Sequence, residues 1–284
     1  MPISETNLIL NPDGSVYHLN LKPGDIADTI IAVGDPSRVY RVSNYFDDVD
    51  FEMNRREFIT HTGRYKDKKI SVMSTGIGTD NIEIFFTEID ALVNIDLETR
   101  EIKAKKNSLK IIRLGTSGAL QGDIPVDSHL VSENAVGIDS LMCFYNLPQS
   151  ALEQKLGESL KQKLSLPYEP YFVSASRELF TMFSRDMLAG NTVTCPGFYA
   201  PQGRKVRLDL KIPNLFKELN YFHEEGMWLT NFEMETAAYY AFGRLMGHET
   251  LSVNAIIANR ITNKFSKDPE KSVDSLIRKV LDRL

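Results

Sequence analysis

Twice in its first hundred residues the chain follows one plan: a short apolar run rich in β-branched side chains, a glycine, then a helical segment. The first run, Thr29-Ile30-Ile31-Ala32-Val33, closes on Gly34-Asp35-Pro36-Ser37-Arg38. The second, Ile70-Ser71-Val72-Met73-Ser74, closes on Thr75-Gly76-Ile77-Gly78. Runs that are apolar throughout suit strands covered on both faces, as in sheets flanked by helices. After the second run, Ile82, Phe85, Phe86, Ile89 and Leu92 share one face of a helix over 81–94.

The rest of the chain keeps this alternation. Strands are expected at the start of the segment 110–119, near 127–134, at Tyr171-Phe172-Val173, at 191–194 and over 250–260. Helices are expected at 149–164, 177–188, 217–225 and 268–284, the last with Val273, Leu276, Ile277, Val280, Leu281 and Leu284 as its apolar stripe. Residues from Arg55 to Ser74 read as a β-hairpin turning near Lys66-Asp67-Lys68, and Tyr17–Leu21 alternates as a short edge strand. The charged segment 95–108 reads as a helix tail or exposed insertion. The expectation is an α/β fold: one domain over residues 1–284, a mixed central β-sheet surrounded by α-helices.

Composition narrows the function. A formal charge of −5 argues against a broad cationic surface for nucleic acid. No apolar run approaches the roughly 20 residues that span a bilayer, and the first residues lack the basic and apolar regions of a signal peptide. The two cysteines, Cys143 and Cys195, form no CxxC, and no histidines cluster. Neither a disulfide framework nor a metal site is expected, and the setting is cytoplasmic.

Several polar groups interrupt this apolar frame. Within the segment 110–119, Arg113 sits near the carboxyl end of an apolar strand, where α/β sheets bind ligands, and a buried arginine needs an anion. Gly115-Thr116-Ser117-Gly118 adds hydroxyls and a flexible backbone suited to phosphate or ribose oxygens. At Gly34–Arg38 a glycine before a helix start lets backbone N–H groups approach an anion, although a plain β–α turn reads the same. The loop from Cys195 to Arg204 combines Phe198, Gln202 and Arg204, which suit stacking on a planar ring and hydrogen bonding to its amide-like edge. In Asn231-Phe232-Glu233-Met234-Glu235, two acids precede an Ala/aromatic helix, and they read either as capping groups or as site residues. His18 alone is a surface imidazole, and Arg56 with Glu57 a solvated pair.

In their order and content these clusters resemble the nucleoside phosphorylase superfamily, and within it the uridine phosphorylase branch. The resemblance runs from Tyr17-His18-Leu19 to the C-terminal helix. Its motifs are Gly34-Asp-Pro-Ser-Arg-Val39, Arg56-Glu-Phe58, Ser74-Thr-Gly-Ile-Gly78, Arg113-Leu-Gly-Thr-Ser-Gly118, Phe198-Tyr-Ala-Pro-Gln-Gly-Arg204 and Asn231-Phe-Glu-Met-Glu235. It implies a partly barrel-like sheet and a pentosyltransferase that cleaves uridine with inorganic phosphate, giving uracil and α-ribose-1-phosphate. Deoxyuridine or thymidine are further substrates it allows.

The resemblance also implies roles. Gly34, Arg38, Arg113 and Thr116 bind phosphate, joined by Arg56 from a neighbouring subunit. Met234, Glu235 and Thr116 hold the ribose, and His18 from the neighbour meets its 5′-hydroxyl. Phe198, Gln202, Arg204 and Glu233 line the base, with Arg260 supporting the base-reading arginine. Arg113, Glu235 and Arg204 carry the chemistry. A homo-oligomer with shared sites, a dimer or a hexamer built from dimers, follows from the roles of His18 and Arg56. No organic cofactor is implied. Some bacterial relatives hold a monovalent cation through positions matching Glu57, Ile77 and Asn81, but serine is usual where Asn81 stands. Purine-specific members carry an aspartate after the late strand, where this chain has Ala258-Asn259-Arg260. A purine or broad-specificity phosphorylase, or a non-catalytic nucleoside-binding protein, are the rival readings.

Overall fold

The computed structural model describes residues 2–284. Backbone contacts group them into two compact units, one reaching to Ile112 with Met246–Glu249 added, the other Arg113–Leu245 with Thr250–Leu284. The boundary falls inside the strand Lys110–Ala119.

The first unit contains β1 (Thr29–Val33), α1 (Pro36–Ser43), β2 (Asp48–Arg55), β3 (Phe58–Tyr65), β4 (Lys68–Ser74), α2 (Thr79–Asn94), the small hairpin β5 (Ile95–Asp96) and β6 (Glu101–Ile102), and the start of β7 (Lys110–Ala119). Its sheet order is β1-β4-β3-β2, parallel between β1 and β4 and antiparallel elsewhere. Ile30, Ile31, Ala32 and Val33 are fully buried, as their unbroken apolar run requires. Lys66 and Asp67 both take left-handed backbone, which matches the twist of a two-residue hairpin turn.

The hairpin differs from expectation at its start. Arg56 and Glu57 form a second turn, with Arg56 left-handed at φ 53°, and β2 precedes it as an edge strand. Segment 17–21 is a set of turns, not a strand, because side chains take up its backbone groups. Asn11 Nδ2 donates to the Val16 carbonyl at 2.9 Å, and Asn20 turns left-handed at φ 57°. The insertion is a clasp on the N-terminus: the Arg100 carbonyl accepts the Ile3 N–H, and its guanidinium donates to the Leu8 carbonyl.

The second unit continues β7 and adds β8 (His129–Gly137), α3 (Ala151–Leu164), β9 (Tyr171–Ser174), α4 (Arg177–Phe183), β10 (Leu188–Thr194), α5 (Leu215–Asn220), the hairpin β11 (His223–Glu224) and β12 (Met227–Trp228), β13 (Asn231–Glu233), α6 (Thr236–Met246), β14 (Glu249–Asn259), β15 (Lys264–Phe265) and α7 (Pro269–Leu281). The order β15-β14-β8-β10-β13-β7, with β14 also paired to β7, closes five strands into a ring. The fold is mixed α/β with a partly closed sheet: β10 is parallel to β8 and β13, whereas β13 runs antiparallel to β7.

Leu156, Leu160 and Leu164 of α3 and Leu215 and Leu219 of α5 pack against Val136, Phe172, Val193 and Phe232 of the sheet. Each such side chain contributes about 1.5–3 kcal/mol on burial. The helix expected over 217–225 stops at Asn220, and the residues beyond it form the β11–β12 hairpin, whose turn at Glu225 and Gly226 is left-handed. Likewise 177–188 leaves the α-helix after Phe183. Gly115–Gly118, expected as flexible backbone at the end of the strand, continues it as regular strand.

Candidate active site

Arg113 on β7 is only 6% exposed, and it does meet anions, but they belong to the chain. Nη2 lies 2.6 Å from Glu235 Oε2 and 2.8 Å from Glu233 Oε2. Nη1 donates to Asn254 Oδ1 at 2.9 Å and Ser252 Oγ at 3.2 Å. Burial alone would disfavour the charge; the two carboxylates override this and push the guanidinium pKa up. The side chain folds back over Gly115, where an added Cβ would stand 2.1 Å from Nη1. Residues two apart share one face of a strand, so the Arg-x-Gly spacing leaves room for the guanidinium.

Glu233, at the end of β13, caps α6 and braces Glu235 together. Its Oε1 accepts the Thr194 hydroxyl at 2.7 Å, and its two oxygens take the backbone N–H groups of Glu235 and Thr236 at 2.9–3.1 Å. Both readings of the acid pair are therefore visible: Glu233 serves the helix start, and Glu235 extends to Arg113. Met234 between them is partly exposed.

The loop after β10 forms a second cluster. Cys195 begins it, its N–H donating to the Glu233 carbonyl at 2.8 Å. Burial, with Glu233 nearby, pushes the Cys195 thiol far up, which disfavours the thiolate. Arg204 lies 3.9 Å over the Phe198 ring and donates to the Phe198 carbonyl at 2.6 Å and to Gln202 Oε1. Arg260 holds the loop by its backbone, donating to the carbonyls of Gln202 and Gly203, and lies 4.2 Å over Phe216. It contacts the loop that carries Gln202 and Arg204, a supporting position. The Phe232 ring has Arg204 at 5.5 Å and Arg260 at 5.7 Å. Burial, then the neighbouring Arg260, lowers the Arg204 pKa, which marks a locally cationic, partly dry loop. Such a loop favours a planar group that gains negative charge.

Elsewhere, Thr116 on β7 is partly exposed, and Phe198 is 52% exposed. In the first unit, Asp35 caps α1, accepting the Ser37 N–H at 2.9 Å, and Pro36 occupies the first turn. Gly34 passes close to the Gly76 carbonyl, 3.3 Å from where a Cβ would be, while Arg38 is partly buried on α1. Arg56 is exposed at its turn. His18 has a specific partner, Glu88 on α2, whose Oε1 is 2.6 Å from Nδ1. Among the described residues no group of three or more His, Cys, Asp or Glu side chains is arranged to hold a metal ion, and no helix is long and apolar enough to cross a membrane.

Four contributors went unnoticed in the sequence: Thr194, Ser252, Asn254 and Glu88. The signal for Ser252 and Asn254 was present, as polar residues two apart in the otherwise apolar run of β14. Glu88 was equally visible as an acid on the apolar face of α2, beside Phe85, Ile89 and Leu92.

The family model for the phosphorylase superfamily matches residues 28–283. A uridine phosphorylase of Thermococcus kodakarensis is 32% identical over 259 residues, covering 91% of this chain and 83% of that protein. A purine nucleoside phosphorylase of the DeoD type from Streptococcus suis is 30% identical over 240 residues, covering 84% of each. The crystal structure of a Trypanosoma brucei nucleoside phosphorylase, described as showing uridine phosphorylase activity, superposes with a TM-score of 0.88 at 28% identity, covering 98% of this chain and 99% of that one. The chain belongs to the phosphorylase superfamily and is a pentosyltransferase of the nucleoside phosphorylase kind.

Proposed function

We propose that the chain cleaves uridine with inorganic phosphate. The observation that carries this reading is the Gln202–Arg204 pair, held from behind by Arg260 and adjoining Glu233 through Cys195 and Phe232. Gln202 offers both a donor and an acceptor, and Arg204 adds donors, which matches the alternating carbonyls and N–H of a uracil edge. Asn259 supports the same choice. Its Nδ2 donates to the carbonyls of Gln121 and Ile124, and its Oδ1 accepts the N–H groups of Ile261 and Thr262. An amide so occupied has no proton for a purine N7, the task of the aspartate in purine members. Two relatives that carry the uridine phosphorylase description agree with this reading; the DeoD-type relatives favour a purine substrate instead.

The proposed roles follow charge. As the glycosidic bond lengthens, ribose turns cationic and uracil anionic. Glu235, with Met234 and Thr116, steadies the sugar, and Arg204 with Gln202 takes the charge on the base over Phe198. The phosphate roles fall on Gly34, Arg38, Arg56, Arg113 and Thr116. Phosphate then attacks C1′ with inversion. Glu233 and Arg260 act by positioning Glu235 and the loop. His18 and Arg56 serve a neighbouring subunit, so the enzyme works as a cytoplasmic homo-oligomer with phosphate as its only co-substrate.

The test mixes the protein with uridine, deoxyuridine, thymidine or inosine, with and without phosphate, and follows base release. Phosphate-dependent release of uracil is expected. Release without phosphate points to a hydrolase, and turnover of inosine alone defeats the pyrimidine reading.

A further inference from the structure

Glu88 of α2 is a carboxylate only 6% exposed, with no lysine or arginine among its partners in the described residues. A buried charge is costly unless hydrogen bonds replace its water. Every partner comes from two consecutive residues. The His18 N–H reaches Oε1 and Oε2 at 2.9 and 3.0 Å, the Leu19 N–H reaches Oε2 at 2.8 Å, and His18 Nδ1 lies 2.6 Å from Oε1. The segment that carries them is fixed on both sides. Val16, Leu19 and Leu21 are fully buried, Asn11 Nδ2 spans to Asn20 Oδ1 at 3.1 Å, and the Arg100 clasp holds the chain upstream. The His18 side chain is nevertheless 31% exposed, with Tyr17 edge-on at 4.9 Å.

We propose that Glu88 is a positioning residue: it holds His18 as the Nδ1–H tautomer and thereby presents Nε2 as a hydrogen-bond acceptor for the nucleoside 5′-hydroxyl. The proposal rests on the uridine reading, which gives His18 that hydroxyl. An ionised carboxylate only accepts, so the short Nδ1 contact puts the hydrogen on Nδ1 and the lone pair of the neutral ring on Nε2. An acceptor fixed in this way selects a 5′-hydroxyl over a 5′-methyl group. Glu88→Gln makes the point testable. The glutamine oxygen must take the place of Oε2, because the backbone N–H groups cannot become acceptors. Its N–H₂ then faces Nδ1, and the ring must move its hydrogen to Nε2.

Two-bond proton–nitrogen NMR of His18, at a pH where the ring is neutral, should show Nδ1–H in the native chain and Nε2–H in Glu88→Gln. In turnover, Glu88→Gln should raise KM for uridine about fivefold to tenfold, leave kcat within about twofold, and leave KM for 5′-deoxyuridine unmoved. His18→Ala, at a partly exposed site, should bring the two KM values together. A native Nε2–H tautomer, or an equal rise of KM for both substrates in Glu88→Gln, overturns the proposal. Equal native KM values overturn the assignment of the hydroxyl to His18. Absence of uridine turnover instead defeats the underlying uridine reading, and the tautomer measurement, which needs no substrate, then decides the Glu88–His18 claim by itself.

Discussion

The Arg113 cluster and the Phe198–Arg204 loop each place a guanidinium among acceptors, but by opposite means. Arg113 is buried, and its terminal nitrogens meet two carboxylates and two side chains of one strand. Arg204 lies on a half-exposed ring, and its acceptors are a carbonyl and an amide of its own loop. Under the proposed roles the first arrangement ties activity to stability, because each member is also holding the fold. Under those roles the second separates them, since a loop braced by Arg260 can lose the Arg204 side chain and keep its backbone.

The sharpest break of this contrast is Arg113→Ala. It leaves Glu233 and Glu235 as buried charges without their cation, a loss of about 3–5 kcal/mol. Denaturant unfolding and turnover should fall together; a variant that is inactive but fully stable would contradict the coupling. Gly115→Ala tests the same cluster more gently. Its Cβ would collide with Nη1 at 2.1 Å, so the guanidinium must shift. A displacement of that kind should cost about 1–3 kcal/mol of stability and on the order of 100-fold in kcat/KM. Unchanged activity would show that Arg113 can act from another position. Arg260→Ala should have the smallest effect. Removing its bonds to the loop carbonyls should lower kcat/KM for uridine about tenfold and stability by about 1 kcal/mol. Selectivity among bases should change little, and a large change would give Arg260 direct contact with the base.

Parts of this contrast were legible in the sequence. Apolar runs stopped by glycine located β1, β4 and β7, since burial on both faces leaves no alternation to misread. Arg113 stood out because a charge inside such a run needs an explanation. Its pairing with Glu235 and Asn254 was not legible: they lie 122 and 141 residues away, and only the ring closure of β7, β13 and β14 unites them. β2 escaped notice because it is an edge strand with mostly exposed side chains, and hence no hydrophobic pattern. Segment 17–21 misled for the converse reason. Its alternation reflects Leu19 and Leu21 entering the core of a tight turn, while Asn11 and Glu88 take the hydrogen bonds a strand would have used.

The central claim is that the Phe198–Arg204 loop reads a pyrimidine without carrying the fold. It is tested most directly by the ratio of kcat/KM for uridine to that for inosine in saturating phosphate, compared between the native chain and Arg204→Ala, with thermal unfolding of both. The account predicts a native ratio far above one that collapses in the variant while the unfolding temperature holds. A native ratio near or below one, or a variant that keeps the ratio and instead loses its fold, would contradict it.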